Sequence, residues 1–320
     1  MHLSFIGRVR LLALSCTVVV PKKPQTRILE LRKLLDEANY AYYVDADPLM
    51  PDSMYDKLLR ELVELEQANP SCFDPASPSQ RVGGEPIAGF ESVVHKVQMQ
   101  SIDNTYTLSD LHTWHERMCD FLGDPPVCTC DPKIDGVAIS LRYVNGLLVQ
   151  GVTRGDGERG DDVTAQAKCV RSIPLRLRGE NVPEVLEVRG EIFMPNESFE
   201  KINKQREAEG EQLFANARNA TAGTLKSLDP KTVAQRNLAF LCHGRGEVDW
   251  DNEPLGWLEF VAAVRTLGIP FSDEIVMCKN AEQVTAAVEN FEKRKDGLGF
   301  GIDGMVIRLD SFASQVKIGA

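Results

Sequence analysis

This sequence predicts an α+β fold: a small helical N-terminal unit followed by a larger unit built on antiparallel sheet. Three observations carry that expectation. Apolar residues recur at helical spacing over residues 27–70, residues 137–150 alternate around an Asn145-Gly146 turn, and the chain shows neither an internal repeat nor a strand–helix–strand alternation. The last point disfavours a doubly wound dinucleotide-binding fold.

Taken in order, residues 1–26 read as an extension. Arg8 and Arg10 precede an apolar run over residues 11–20, the outline of a signal peptide. That run is too short to span a bilayer and no A-x-A site follows, so a disordered extension is expected. Residues 27–90 form the helical unit. Ile28, Leu31, Leu34, Leu35 and Ala38 make one stripe and Leu58, Leu59, Leu62 and Leu65 a second, which predicts two helices. The second should start near Ser53, where Ser53 and Asp56 have capping-box spacing, and end at Asn69-Pro70. Asp52, Tyr55 and Asp56 then crowd one side of its first turn. A Pro- and Gly-bearing connection, residues 77–89, leads into the sheet unit, residues 91–320. There the Asn145-Gly146 pair suits a type I′ hairpin. Further strands are expected at residues 185–194 and 304–309, with helices at about 197–209 and 281–295.

Composition bounds the function. Of 320 residues, 36 are Lys or Arg and 47 Asp or Glu, a net charge of −11, so nucleic acid cannot be coated by bulk charge and any contact with it must be local. A content of 43% hydrophobic and 26% charged residues excludes a disordered or collagen-like chain. The eight cysteines, Cys16, Cys72, Cys119, Cys128, Cys130, Cys169, Cys242 and Cys278, include no C-x-x-C pair. They are expected to be reduced thiols, mostly small core residues, in a cytoplasmic monomer that does not enter membranes.

Four polar clusters stand at predicted strand ends: Lys133-Ile134-Asp135-Gly136 preceded by Asp131, Arg154-Gly155-Asp156-Gly157, residues 187–191 and residues 302–308. Each alone reads as a turn, and Lys-x-Asp-Gly arises by chance in about one chain in ten to twenty of this length. In order and spacing they resemble the adenylation half of the bacterial NAD-dependent DNA ligases. The resemblance runs from about residue 27 to the last residue and includes SPSQRVGG, SIDNTY, KIDGVAIS, TRGDGERGDDVT, LEVRGEIF, FANARNATAGTLKSLDP and GIDGMVIR.

The resemblance implies an antiparallel nucleotidyltransferase domain of ATP-grasp-like ligase type, and a chemistry. A lysine, here Lys133, attacks the α-phosphorus of NAD, NMN leaves, and AMP stays on the lysine for transfer to the 5′-phosphate of a nick in double-stranded DNA. A free lysine is only about a thousandth neutral near pH 7.4, so nearby cations must favour its neutral form. By resemblance these are Arg154, Arg308 and a Mg²⁺ close to the phosphates, with no metal ligand among the side chains and no zinc module. Asp131, Ser101 and Ile102 should line the adenosine pocket and Glu191 should hydrogen-bond the ribose. Lys295 matches a further nucleotide-binding position. Tyr42, Tyr43, Asp52, Tyr55 and Asp56 fall on positions that bind the NMN half, where aromatic faces and carboxylates suit a cationic ring and a ribose diol. Arg218 and Lys226 match positions near the nick phosphate, and with Lys201, Lys204 and Arg206 they could form a basic face.

The sequence departs from the common pattern at several of these positions. Asp131 stands where Glu is usual, Arg308 where Lys is usual, Lys295 where Arg is frequent, and Gln98 where Pro is usual. The chain stops at Ala320, before a later lysine-bearing strand, and the OB-fold, zinc, helix-hairpin-helix and BRCT parts of relatives do not follow. Two readings therefore compete: an adenylating enzyme with the replication and repair roles of its relatives, and a truncated or divergent module that binds the nucleotide without catalysis.

Overall fold

The computed structural model describes residues 23–82 and 87–319. The expectation for residues 1–22, with Arg8, Arg10 and Cys16, lies outside the described residues.

Two helices open the described residues, α1 (Pro24–Tyr43) and α2 (Asp52–Ala68). Their stripes meet as expected: Ile28, Leu31, Leu35 and Ala38 pack on Tyr55, Leu59 and Leu62 in a small core of their own. The expected capping box is not there. Helix α2 begins one residue earlier, at Asp52, behind Pro51 and with no side-chain cap, so Ser53 lies inside the helix instead of capping it, and Asp56 pairs with Arg171. A 3₁₀ segment, Pro78–Val82, then packs against the main body, and buried Arg81 donates to the Val170 carbonyl at 2.9 Å.

The larger unit runs β1 (Ser92–Val94), α3 (Leu108–Leu122), β2 (Cys128–Ile134), β3 (Val137–Val144), β4 (Leu147–Thr153), β5 (Arg159–Asp161), α4 (Thr164–Cys169) and β6 (Val185–Phe193). It continues with α5 (Asn196–Ala208), α6 (Ala217–Leu225), α7 (Pro230–Gln235), β7 (Ala239–Asp249), α8 (Trp257–Thr266), β8 (Val276–Cys278), α9 (Ala281–Glu292), β9 (Ile302–Leu309) and α10 (Phe312–Ile318). The hairpin between β3 and β4 turns at Asn145 and Gly146, both with positive φ, as a type I′ turn requires.

Three antiparallel sheets result among the described residues, ordered β1-β5, β8-β2-β9 and β4-β3-β6-β7. The four-stranded sheet has one apolar face. Ile139, Leu141 and Tyr143 from β3, with Leu186, Val188 and Ile192 from β6, lie under a helical layer contributed by α4, α7 and α8. Each such side chain contributes about 1.5–3 kcal/mol on burial. The three-stranded sheet is covered on its outer side by α3 and α9, where Leu111, Cys128, Cys130, Cys278, Val284 and Leu309 form a third core. Among the described cysteines all seven are free and five are buried. No helix among the described residues is long and apolar enough to cross a membrane.

Candidate active site

Strand alternation decides what faces the cleft between the two larger sheets. On β2, Cys128 and Cys130 turn outward to the helices, so Thr129, Asp131 and Lys133 turn inward. Arg308, Val306 and Gly304 of β9 stand opposite them in register. From the other wall come Glu187, Arg189 and Glu191 of β6, paired with Arg142, Ser140 and Ala138 of β3.

Lys133 is a third exposed, and its ammonium forms an ion pair with Asp303. Beside it Arg218 Nη1 donates to Asp135 Oδ1 at 2.9 Å. Asp135 holds the Arg218 guanidinium more firmly protonated than usual, with Glu191 and Asp303 adding to the effect, so these groups share one electrostatic neighbourhood. The turn that carries Asp135 needs glycine at position 136, because a Cβ there would stand 2.2 Å from the Ile192 carbonyl oxygen.

Deeper in the cleft Asp131 is buried, with Arg308 Nη2 at 2.9 Å. The Arg308 guanidinium lies 4.1 Å above the Trp257 ring. Burial pushes the Asp131 carboxyl above the usual carboxylate range, against the pull of Arg308. His243 Nε2 stands 3.4 Å from Glu191 Oε2. At the rim, Arg154 Nη2 donates to Ser101 Oγ at 2.9 Å, and Ile102 is exposed next to it. Arg189 donates to the carbonyls of Val97 and of Gln98, the latter at 3.0 Å, and so ties the segment before Ser101 to the sheet.

Residues 87–320 match the family described as NAD-dependent DNA ligase adenylation domain, and residues 21–83 match the family described as DNA ligase-like, N-terminal NAD+-binding domain. The chain belongs to the NAD-dependent DNA ligase family. A curated DNA ligase from Lysinibacillus sphaericus (strain C3-41) is 46% identical over 301 residues, which are 92% of this chain and 44% of that ligase. The chain thus spans less than half the length of this relative.

In this member of the ligase family the expected residues form two groups. Lys133, Asp131, Arg154, Ser101, Glu191, Arg218 and Arg308 belong to the cleft. Lys295 Nζ pairs with Glu292 at 2.7 Å, on its own segment, and Lys226 Nζ stands 3.9 Å from Asp161. Tyr42, Tyr43, Asp52 and Tyr55 line a separate pocket together with Asn39, Arg171 and Asn237. Asn39 Nδ2 donates to Tyr55 Oη at 2.9 Å, and Arg171 pairs with Asp56 at 2.8 Å while lying 5.0 Å over the Tyr55 ring. Arg171 follows Val170, which is part of the helical layer on the apolar face. The helical pair therefore docks behind the four-stranded sheet, with its aromatic and acidic cluster on the opposite side from Lys133.

Two site residues, His243 and Trp257, escaped the sequence reading, and Asp303, inside the 302–308 cluster, was given no role of its own. Asp303 had a signal, since the triplet Ile-Asp-Gly occurs both after Lys133, at residues 134–136, and at residues 302–304. His243 and Trp257 had none, because only the tertiary fold brings β7 and α8 to the cleft.

Proposed function

We propose that this chain carries the adenylation step of an NAD-dependent DNA ligase on Lys133. The neutral Nζ attacks the α-phosphorus of NAD, a P–N bond forms, the P–O bond to the NMN half breaks, and the proton of the amine passes to solvent. AMP held on Lys133 is then available to the 5′-phosphate of nicked double-stranded DNA. The meeting of the Lys133–Asp303 and Arg218–Asp135 pairs with Glu191 and buried Asp131 in one cleft supports this reading. Arg154 and Arg218 are the cations that stabilise charge developing on the phosphates. Ser101, Ile102 and Asp131 receive the base, Glu191 the ribose, and Tyr42, Tyr43, Asp52, Tyr55 and Asp56 the NMN half. Because that last group and Lys133 lie on opposite sides of the sheet, one NAD reaches both only if the helical pair leaves its contacts with Arg171.

Mg²⁺ fits here as a companion of the substrate phosphates. Among the described residues no group of three or more His, Cys, Asp or Glu side chains is placed to hold a metal ion, and Mg²⁺ ordinarily retains waters and binds through phosphates with one or two carboxylates. It would supply charge neutralisation there.

For DNA, the expected basic face is largely compensated. Lys204 pairs with Glu200, Arg206 with Glu211, Arg218 with Asp135 and Lys226 with Asp161. Binding of nicked duplex by this chain is therefore weak and steeply salt-dependent, and the chain alone does not seal the nick with NAD and Mg²⁺. Incubation with NAD and Mg²⁺ followed by mass spectrometry tests the central reading. One adenylyl group should appear on the peptide carrying Lys133, and neither Lys133→Ala nor Lys133→Arg should acquire it. An adduct on either variant assigns the nucleophile elsewhere.

A further inference from the structure

Residues 95–101 form a strap over the polar face of the four-stranded sheet, and it ends at Ser101 on the rim of the cleft. Under its first half lies an open cavity of about 290 Å³, roofed by Val94, His95 and Lys96 and floored by Ser140, Arg142 and Glu187. Side-chain packing therefore does not set the height of the strap over the sheet. Hydrogen bonds set it. Along one edge His95 N–H donates to the Glu158 carbonyl and Met99 N–H to the Gly157 carbonyl, both at 2.9 Å. From β6, Arg189 donates Nη1 to the Gln98 carbonyl at 3.0 Å and Nη2 to the Val97 carbonyl.

Arg189 is itself held. Glu187, only 3% exposed, accepts from Ser140 Oγ at 2.7 Å and stands 3.7 Å from Arg189 Nη2. Its carboxylate is pressed against β7 at Gly246, where a Cβ would lie 2.2 Å from Oε1. Keeping a guanidinium here costs stability. Arg189 Nε is buried with no acceptor among the described residues, and burial leaves the group less firmly protonated than usual. An apolar side chain would fill the place without those losses. What the guanidinium adds is several donors in one rigid plane, which grip two successive carbonyls in a single orientation. Further along the strap Ser101 Oγ accepts from Arg154 Nη2 at 2.9 Å, so a shift of the strap displaces Arg154 as well.

We propose that Arg189 is a positioning residue for the nucleotide: oriented by Glu187, it clamps the strap by two main-chain carbonyls and so sets Ser101 and Arg154 against a ligand that Arg189 does not touch. This rests on the adenylation reading for the identity of the ligand.

The test uses Arg189→Lys, which keeps the charge but cannot grip two carbonyls in a plane, and reads hydrogen exchange, AMP binding by calorimetry and adduct formation on the whole chain. Amide exchange over residues 95–101 should quicken about tenfold, with β3 and the rest of β6 within twofold of the wild type. AMP affinity should fall about tenfold, and the NAD concentration giving half the maximal rate of adduct formation should rise to match, which a loss of folded protein alone would not produce. Glu187→Gln, which can keep the Ser140 bond, should act in the same direction by about threefold, and it carries the test where Arg189→Lys does not fold. A strap whose exchange is unchanged shows that there is no clamp, and a quickened strap with unchanged AMP affinity shows that the clamp does not shape the site. Either result overturns the proposal, as does exchange that rises equally throughout β3 and β6, which makes Arg189 a structural residue only. A wild-type chain that binds AMP with these strap effects but never forms the covalent adduct refutes the adenylation reading and leaves this one standing. Adduct formation with the same NAD dependence in Arg189→Lys and wild type does the reverse.

Discussion

Strands β3 and β6 send Ile139, Leu141, Tyr143, Leu186, Val188 and Ile192 to one side and Ser140, Arg142, Glu187, Arg189 and Glu191 to the other. On the first side, shape decides: the residues are buried, uncharged and interlocked with helices. On the second, charge decides. Ser140 Oγ donates to Glu187 Oε1 at 2.7 Å, Arg142 Nη1 stands 3.7 Å from Glu187 and 2.6 Å from Glu247, and Glu191 opens onto the cleft near His243. The same backbone therefore separates stability from chemistry by residue parity along each strand. Substitutions should sort by the side they fall on.

The largest contrast is between Lys133→Ala and Leu141→Ala. The first should abolish the AMP adduct in mass spectrometry while changing the free energy of unfolding in urea by no more than about 0.5 kcal/mol. The second should cost about 2–5 kcal/mol in the same urea titration, yet the folded fraction should still form the adduct. A Lys133→Ala protein that melts like Leu141→Ala would break the separation of faces.

Gly136→Ala should fail on both counts. The added carbon meets the Ile192 carbonyl, so β3 and β6 must part at the point where the cleft and the core adjoin. A loss of about 1–3 kcal/mol in unfolding free energy is expected together with a falling adduct yield per folded molecule. A variant with normal yield would show that the cleft tolerates that displacement.

Arg171→Ala sharpens the comparison at the back of the sheet. It removes the Asp56 ion pair and the contact with the Tyr55 ring, which are partly exposed and together contribute about 1 kcal/mol. The expected outcome is faster proteolytic release of the helical pair with an almost unchanged melting temperature. Equal loss of protection in the pair and in the sheets would mean that the two are one cooperative unit.

The smallest effect concerns thiols. Burial pushes Cys242 up to about 12 and Cys169 up to about 11, so neither forms thiolate to any extent at pH 8. A thiol reagent at pH 8 should therefore modify half-buried Cys72 and Cys119 long before these two, with no loss of adduct formation. Rapid labelling of Cys242 in the native chain would show that the apolar face opens.

The hairpin and the helices over residues 27–70 were legible because their signals are local, a period and a turn dipeptide. The strand that carries Lys133 was far less legible. Cys-Thr-Cys-Asp-Pro-Lys is a poor strand pattern, and Pro132 argues against a central position. The structure resolves the conflict: β8 pairs only with residues 128–130, so Pro132 faces β9 alone and no ladder donor is missing on its other side. Of the residues named by family resemblance, Lys133, Asp131, Arg154, Ser101, Glu191, Arg218 and Arg308 come together at the cleft, whereas Tyr42, Tyr43, Asp52, Tyr55 and Asp56 lie behind the sheet and Lys295 and Lys226 pair elsewhere. Asp303 and Trp257 depend on pairings between distant segments, and the capping box failed because the helix starts at Asp52 and takes Ser53 into its first turn.

The pairing of β2 with β9 also sets a timetable. Lys133 stands opposite Gly304 and finds its carboxylate partner at Asp303, some 170 residues later in the chain. At about 5–20 residues per second, a ribosome takes roughly 10–30 s to reach the second strand after making the first. During that interval the hairpin and the helical pair can already fold, since their contacts are near in sequence. The lysine, however, stays without its opposing wall, and an incomplete nascent chain has no cleft with which to capture a dinucleotide.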